Sequence, residues 1–251
     1  MTGDFLSLLP ARQEIGTAQK STHSLPTLEA TTVFAFHCSE GVIVAGDHRA
    51  TAGNVVFSDK TEKIIELDRY SLLAIAGSPS IAIEMARTLQ TAFEFYRRSQ
   101  LQPMSLSAKL RALSRLLREN LPATLQGFGV VAPIFAGVDA STGKPSIYFY
   151  DPLGAQFEAA AYAGSGSGSP SIKSVLHFHE QWGNPKPAQM TLAQAVALAN
   201  RLLITAAEFD TATGGVNPVR NDFATIKLLS PTGIRTIETI EQSQHWRASG
   251  P

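Results

Sequence analysis

From Thr31 the run TTVFAFH is rich in β-branched and aromatic residues, and after Ser39-Glu40-Gly41 a second short β-prone run, VIVAGD, follows. The two are close enough to form a hairpin. Two further strand-like runs, Lys63 to Leu67 and Ser71 to Ala76, flank Asp68-Arg69. The period then changes. From Pro79 to about Arg98, residues Ile83, Met85, Ala86, Leu89, Phe93 and Tyr96 recur at helical spacing, with Ser78 as candidate N-cap ahead of the proline. Leu106, Leu110, Leu113, Leu116, Leu117 and Leu121 predict a second helix. Arg97, Arg98, Lys109, Arg111, Arg115 and Arg118 are assigned to the polar faces opposite these apolar stripes.

The pattern then repeats in kind. Val130 to Asp139 and Pro145 to Asp151 read as strands around Ser141-Thr142-Gly143, and Ala155 to Ala163 reads as a third. Helices are predicted over Ser169 to Gln181 and Leu192 to Phe209, followed by a closing hairpin of Phe223 to Leu229 and Ile234 to Ile237 around Pro231-Thr232-Gly233. Hairpins alternating with helix pairs, without βαβ spacing, predict an α+β fold in which two antiparallel sheets pack face to face with helices outside both. One domain is expected over residues 31–251, ending in a flexible tail. Residues 1–30 form a polar leader containing Asp4, Glu14 and only a short apolar piece, Phe5 to Pro10. It lacks the basic start and long apolar centre of a secretory signal.

Composition narrows the function classes. With 251 residues, 44% of them hydrophobic, the chain has enough apolar side chains for a sizeable core. Lys and Arg number 21 against 21 Asp and Glu, so no net field draws nucleic acid or an anionic membrane, and there is no basic run. No stretch of 18 apolar residues predicts a membrane span. A lone Cys38 can form neither an internal disulfide nor a Cys-cluster zinc site, which points to a reducing, cytoplasmic setting.

Common catalytic motifs are missing: there is no G-x-S-x-G, no H-E-x-x-H and no phosphate-binding G-x-x-x-x-G-K-[ST]. The six His are scattered, and His177 and His179 point to different sides of a helix, so no metal or cofactor is expected. Cys38 and His37 are strand neighbours that face opposite ways. Two Gly-rich segments remain. Gly164-Ser165-Gly166-Ser167-Gly168-Ser169 reads either as a loose helix lead-in or as backbone that must approach something closely, and Asp210-Thr211-Ala212-Thr213-Gly214-Gly215 can serve as a helix stop.

Taken in order, Ala30-Thr31-Thr32-Val33, Gly46-Asp47-His48-Arg49-Ala50-Thr51, Lys63, Ala76-Gly77-Ser78, Gly164-Ser165-Gly166-Ser167, Asp210 and Thr213-Gly214-Gly215 resemble a β subunit of the core-particle proteasome. The resemblance runs from Thr31 to about Leu229 and is closest to the bacterial, actinobacterial type. It implies the four-layer αββα sandwich of N-terminal-nucleophile hydrolases. It further implies a threonine endopeptidase acting on unfolded or tagged proteins, in stacked heptameric rings with other β subunits and α subunits, fed by a regulatory ATPase ring.

The chemistry implied by the resemblance is specific. A Thr hydroxyl is a weak nucleophile that needs a base in hydrogen-bond reach, and a free α-amine, with an ordinary pKa of about 7.7 to 8.0, can be that base on the same residue. Thr31 becomes such a residue only after autocatalytic cleavage of Ala30-Thr31, so the encoded chain is expected to be an inactive precursor whose leader is a propeptide. Ala30 stands where Gly is common before the nucleophile. Thr32 alternates to the other strand face, where packing or a second-layer hydrogen bond is its expected role. By resemblance, Lys63 lowers the pKa of the Thr31 hydroxyl and amine, Asp47 is its counter-ion, and the Gly77 N–H faces the developing oxyanion. Ser165 and Asp210 are implied to position the amine, with Thr213 as third polar member.

Ala50, Thr61, Ile65, Ile75 and Pro79 match positions lining the pocket for the side chain before the cut, and Thr51 matches a residue that pairs with substrate backbone. None is charged, which implies a small or apolar residue at that position. Three alternatives stay open: an HslV-type two-ring threonine protease, another amidohydrolase of this fold class, and a catalytically silent ring subunit. The Asp-x-x-Thr-Gly-Gly element counts against the first. The joint presence of Thr31, Asp47 and Lys63 counts against the last.

Overall fold

A computed structural model describes residues 32–52 and 55–248. In chain order the elements are β1 (Thr32–Cys38), β2 (Gly41–Gly46), β3 (Ala50–Ala52), β4 (Val55–Ser58), β5 (Ile64–Asp68), β6 (Ser71–Ala74), α1 (Pro79–Gln100), α2 (Leu106–Glu119), α3 (Leu121–Leu125), β7 (Ile134–Val138), β8 (Pro145–Tyr150), β9 (Gln156–Ala159), β10 (Tyr162–Gly166), α4 (Ser169–Trp182), α5 (Leu192–Phe209), β11 (Thr225–Ser230), β12 (Gly233–Thr236) and α6 (Thr239–Ala248). One sheet has the order β10-β1-β2-β11-β12 and the other β5-β6-β7-β8-β9, both antiparallel, while β3 and β4 form a separate ribbon.

Strand alternation sorts the apolar residues into three layers. Between the sheets lie Val33, Ala35, Val42, Val44 and Leu229 from one side and Ile64, Leu72, Ala74, Ile134 and Ile147 from the other. The outer face of the first sheet, with Phe34, Phe36, Ile43, Ala45 and Ile226, buries itself under α4 and α5. Leu73, Ile75, Phe135, Tyr148 and Tyr150 on the outer face of the second sheet are covered by α1 and α2. The result is the expected four-layer αββα sandwich. By length and composition α5 could cross a membrane. Its Leu192, Val196, Leu202 and Leu203 are instead packed on the sheet.

The local differences from the sequence expectations have identifiable causes. Ala155 to Ala163 is not one strand but two, β9 at the edge of one sheet and β10 at the edge of the other, and the chain crosses between sheets at Ala160-Ala161. Period-two patterning carries no sign of such a switch when the crossing residues are small. The second helix stops at Glu119, because Pro122 cannot donate to its ladder and restricts Leu121, and a short helix follows. Ser78 occupies the N-cap position of α1, but its side chain makes no cap bond. Lys109 is not on a polar face: it is buried, paired with Asp68 at 2.5 Å, donating to Ser71 Oγ at 2.8 Å and lying over the Phe93 ring.

Residues 239–248, expected as flexible tail, form α6 instead. Buried Gln242 fastens it: Nε2 donates to the carbonyls of Ala224 and Ile237 at 3.0 and 2.9 Å, and Oε1 accepts from Asn200 Nδ2 at 3.1 Å.

Candidate active site

The start of β1 is where the candidate residues gather. Register Val33↔Gly46 brings the end of β2 alongside it, and Asp47 follows directly, with its N–H donating to the Thr32 carbonyl at 3.2 Å. The Asp47 carboxylate is fully engaged. Oδ1 accepts from Lys63 Nζ at 2.6 Å and Thr32 N at 3.0 Å, and Oδ2 accepts from Arg49 N at 2.9 Å and Gly214 N at 2.8 Å. These four donors account for the acceptor sites of a carboxylate.

Lys63, just before β5, is 1% exposed. Its Nζ also donates to the Arg49 carbonyl at 2.5 Å. Burial pushes its pKa below the ordinary lysine value, and the Asp47 charge and hydrogen bond oppose that shift by favouring the ammonium. Gly46 faces the lysine stem: a Cβ there would press on Val33 Cγ1 at 3.0 Å and lie in ordinary contact with Lys63 Cβ at 3.7 Å. The stem of Lys63 therefore runs close to the Val33 face of β1.

On the opposite face of β1 a second polar chain runs through the helix layer. Thr213 Oγ1 donates to Asp210 Oδ2 at 2.6 Å, so its oxygen accepts the Thr32 hydroxyl, also at 2.6 Å, and Thr32 Oγ1 in turn accepts from Gly168 N at 3.0 Å. Ser167 Oγ donates to the same Asp210 oxygen at 2.6 Å, and Ala212 N donates to Oδ1 at 3.1 Å. Partial burial alone would raise the Asp210 pKa. Hydrogen bonds from Ser167, Thr213 and the Ala212 amide, together with the Lys63 charge, outweigh it and hold the carboxyl below its usual value.

The serine that bonds Asp210 is Ser167, while the implied positioning of the Thr31 amine by Ser165 and Asp210 falls on a residue outside the described ones. Ser165, paired with Val33 on the inter-sheet face, donates to the Ala132 carbonyl at 2.6 Å. Gly166, at φ +95°, then ends β10 in a conformation that reverses the facing of the chain, and it is Ser167 that reaches Asp210. Thr32 makes the kind of hydrogen bond expected of it on that strand face, whereas Ser167, Arg49, Gly168 and Gly214 are members of the cluster that the sequence does not place there. Arg49 clamps it from outside, with Nε on Asp59 at 3.0 Å and Nη1 on the Thr211 carbonyl at 3.3 Å.

Gly77 lies between β6 and α1 at φ +99°, bridged to Val131, and a Cβ there would sit 2.0 Å from the Val130 carbonyl oxygen. Only glycine fits. Among the pocket candidates, Ala50 and Thr51 are buried on β3, and Ile65 and Ile75 meet in the apolar cluster under α1 and α2. The Ile75 N–H donates to the Lys63 carbonyl at 2.8 Å, Thr61 N donates to the His48 carbonyl at 3.0 Å, and Pro79 opens α1. Ala30 and Thr31 lie outside the described residues. Among the described residues no group of three or more His, Cys, Asp or Glu is placed to hold a metal ion.

The closeness of this packing is testable. A Cβ on Gly168 would meet Thr213 Oγ1 at 2.4 Å, Thr32 Oγ1 at 2.7 Å and Ala206 Cβ at 3.2 Å. None of these is the loose end of a long side chain. Gly168→Ala is expected to break the Thr32–Thr213 contact and destabilise the fold by about 2 kcal/mol. An unchanged denaturation midpoint in urea would contradict that.

Known proteins resemble this chain over most of its length. Residues 27–219 match the family model described as Proteasome subunit. The protein named proteasome subunit beta 2 of Thermomonospora curvata is 34% identical over 264 aligned residues, spanning all of this chain and 92% of that protein. The proteasome subunit beta of Acidimicrobium ferrooxidans is 34% identical over 94% of this chain and 84% of its own length, and that of Streptomyces griseus 32% identical over 96% and 84%. The chain belongs to the proteasome subunit family, as a β-type member of the actinobacterial kind.

Proposed function

We propose that this chain is a catalytic subunit, a threonine endopeptidase whose nucleophile is the Thr31 hydroxyl and whose base is the Thr31 α-amine, freed by autocatalytic removal of residues 1–30. The buried Asp47–Lys63 pair carries the proposal. An ammonium 1% exposed is costly unless its charge is used, and this one lies close to the Val33 face of β1, which strand alternation assigns to position 31 as well. Lys63 has three N–H donors; one goes to Asp47 and one to the Arg49 carbonyl. The third is assigned to the reacting hydroxyl, whose ionisation the positive charge favours.

The remaining roles follow from chemistry. After the amine takes the hydroxyl proton, the oxygen attacks the substrate carbonyl, and the Gly77 N–H stabilises the oxyanion. Asp210, Ser167 and Thr213 hold the amine side of the site, with Thr32 passing their order to the first strand. The amine returns its proton to the leaving group, and water releases the acyl-enzyme. Ala50, Thr61, Ile65, Ile75 and Pro79 accept a small or apolar side chain before the cut, while Thr51 pairs with substrate backbone. The setting is a cytoplasmic particle of stacked heptameric rings, with α subunits and an ATPase ring admitting unfolded or tagged proteins.

N-terminal sequencing and intact mass of the chain, purified alone and after co-expression with a candidate α subunit, test this. The expected terminus is Thr31 in the assembled particle and Met1 in the isolated chain. A peptidase-active particle beginning at any other residue would falsify the mechanism.

A further inference from the structure

We propose that Pro79 limits how much of a substrate this site reads, by removing the main-chain donor that would face the carbonyl of the third residue before the cut. The proposal rests on the assignment of Gly77 as oxyanion donor made above. A trans peptide holds its C=O and N–H on opposite sides, so the direction of one group fixes the other. The peptides around Gly77 are trans. The Ala76 carbonyl accepts from Ala132 N at 3.0 Å, and Ser78 N donates to the Val130 carbonyl at 2.7 Å. The Gly77 N–H and C=O, the other halves of these two peptides, therefore both point away from residues 130–132. They form a short stretch of open strand edge beyond β6, on the side where the Ile75 N–H is already taken by the Lys63 carbonyl at 2.8 Å.

A peptide that puts its scissile carbonyl on the Gly77 N–H brings the N–H of the same residue to the Gly77 C=O, which is the hydrogen-bonded pair of an antiparallel ladder. Such pairs recur at every second residue, so the third residue before the cut lies opposite residue 79. The nitrogen of residue 79 faces outward: the Ser78 carbonyl accepts from Ala82 N inside α1 at 3.0 Å, which turns the other side of that peptide away from the helix. Proline has no hydrogen to offer there. Its place suits the fold, because the first N–H of a helix is spare, and Ser78, at φ −65° and ψ 110°, has the extended backbone that a following proline favours. The group that is spare for the helix is the next rung of the substrate ladder. On this side the ladder ends after one residue, and β3, which pairs with β4 alone, is left to supply the remaining main-chain contacts through Thr51. Selection falls on the side chain next to the cut, and a peptide extended to a third residue gains no main-chain bond from position 79.

The test uses core particles assembled with unaltered chains or with Pro79→Ala, and a fluorogenic dipeptide amide carrying an acetyl cap. The cap carbonyl occupies the place of the third residue, and a thioacetyl cap keeps its shape while accepting hydrogen bonds far more weakly. In the unaltered particle kcat/KM for the two caps is expected to agree within about twofold, whereas P79A, which gains an N–H, should favour acetyl by about fivefold, the worth of one ordinary hydrogen bond. The gain should lie in KM, because that bond is the same in the bound peptide and in the transition state. The ratio between caps cancels whatever P79A does to the pocket or to α1, so a merely structural role for the proline leaves it unmoved. An equal ratio in both particles, or an unaltered particle that already favours acetyl to the same extent, overturns the proposal. If P79A does not assemble, Pro79→Gly carries the same comparison. A parallel T31A particle separates the two levels: residual hydrolysis there overturns the underlying mechanism, whereas a dead T31A beside an unmoved cap ratio overturns the role of Pro79 alone.

Discussion

A particle assembled with Thr31→Ala is expected to keep residues 1–30 attached and to hydrolyse peptides at least about 10⁴-fold more slowly than the unaltered particle. Both effects come from one oxygen. In the proposed mechanism the hydroxyl that attacks substrate also attacks the Ala30 carbonyl, so its removal would leave the nitrogen of residue 31 in an amide, without basicity. Thr31→Ser retains the hydroxyl and should be processed and active to within about tenfold. Labelling by a peptide epoxyketone, which needs both the hydroxyl and the free amine, should vanish in the Ala variant and survive in the Ser variant. A silent structural subunit would give the same low activity with and without the substitution, and an A30–T31 bond still cut in T31A would mean that another group performs the cleavage. Thr32→Ala offers the control one residue away, because the Thr32 hydroxyl already has its place, between Thr213 and Gly168 on the other strand face.

How far the sequence reveals this site depends on what kind of pattern placed each residue. The β-prone runs TTVFAFH and VIVAGD were enough to predict the hairpin of β1 and β2, and with it the position of Asp47 at the end of a strand, but not which face of β1 meets the other sheet. Lys63 was legible because its family spacing from Asp47 is kept, and the buried pair at 2.6 Å follows. Ser165 and Ser167 were not separable. In Gly-Ser-Gly-Ser-Gly-Ser every shift by two residues restores the same sequence, so pattern cannot set the register, and only the φ of Gly166 decides which hydroxyl meets Asp210. Lys109 was misplaced for a different reason. Helical spacing records where a side chain starts, but a long aliphatic stem can carry its charge inward to Asp68 and Ser71. Arg49 acts mainly through its own amide and carbonyl, on Asp47 and Lys63, and backbone roles leave no mark in side-chain chemistry. The ribbon of β3 and β4 and the helix α6 are short, and their pairing and docking are tertiary events that local periodicity does not encode.

Lys63→Met and Asp47→Asn should both silence the particle, by about 10³-fold or more, but for reasons that pH and stability tell apart. With Met at 63 the Asp47 charge stays buried without its cation. Three amide donors, from Thr32, Arg49 and Gly214, still hold it, so the cost is expected at the low end of the range for a broken buried pair, about 3 kcal/mol. No pH restores activity, because nothing can supply the positive charge. Asn at 47 keeps the volume yet meets donors on both of its former oxygens, so its NH2 must face two of them whichever way it turns, at a cost of at least about 2 kcal/mol. Lys63, however, can answer by shedding its proton. Burial already lowers its pKa and Asp47 is the principal opposing group, so the loss of that carboxylate moves the lysine pKa further down. The sign of the effect on rate follows: the catalytically useful ammonium is lost as pH rises through a lower pKa, and the alkaline limb of the D47N profile should move towards acid while the acid limb, set by the α-amine, stays where it is. A D47N particle with an unshifted alkaline limb, or a K63M particle with measurable turnover at any pH, would show that the ammonium is not what activates the hydroxyl.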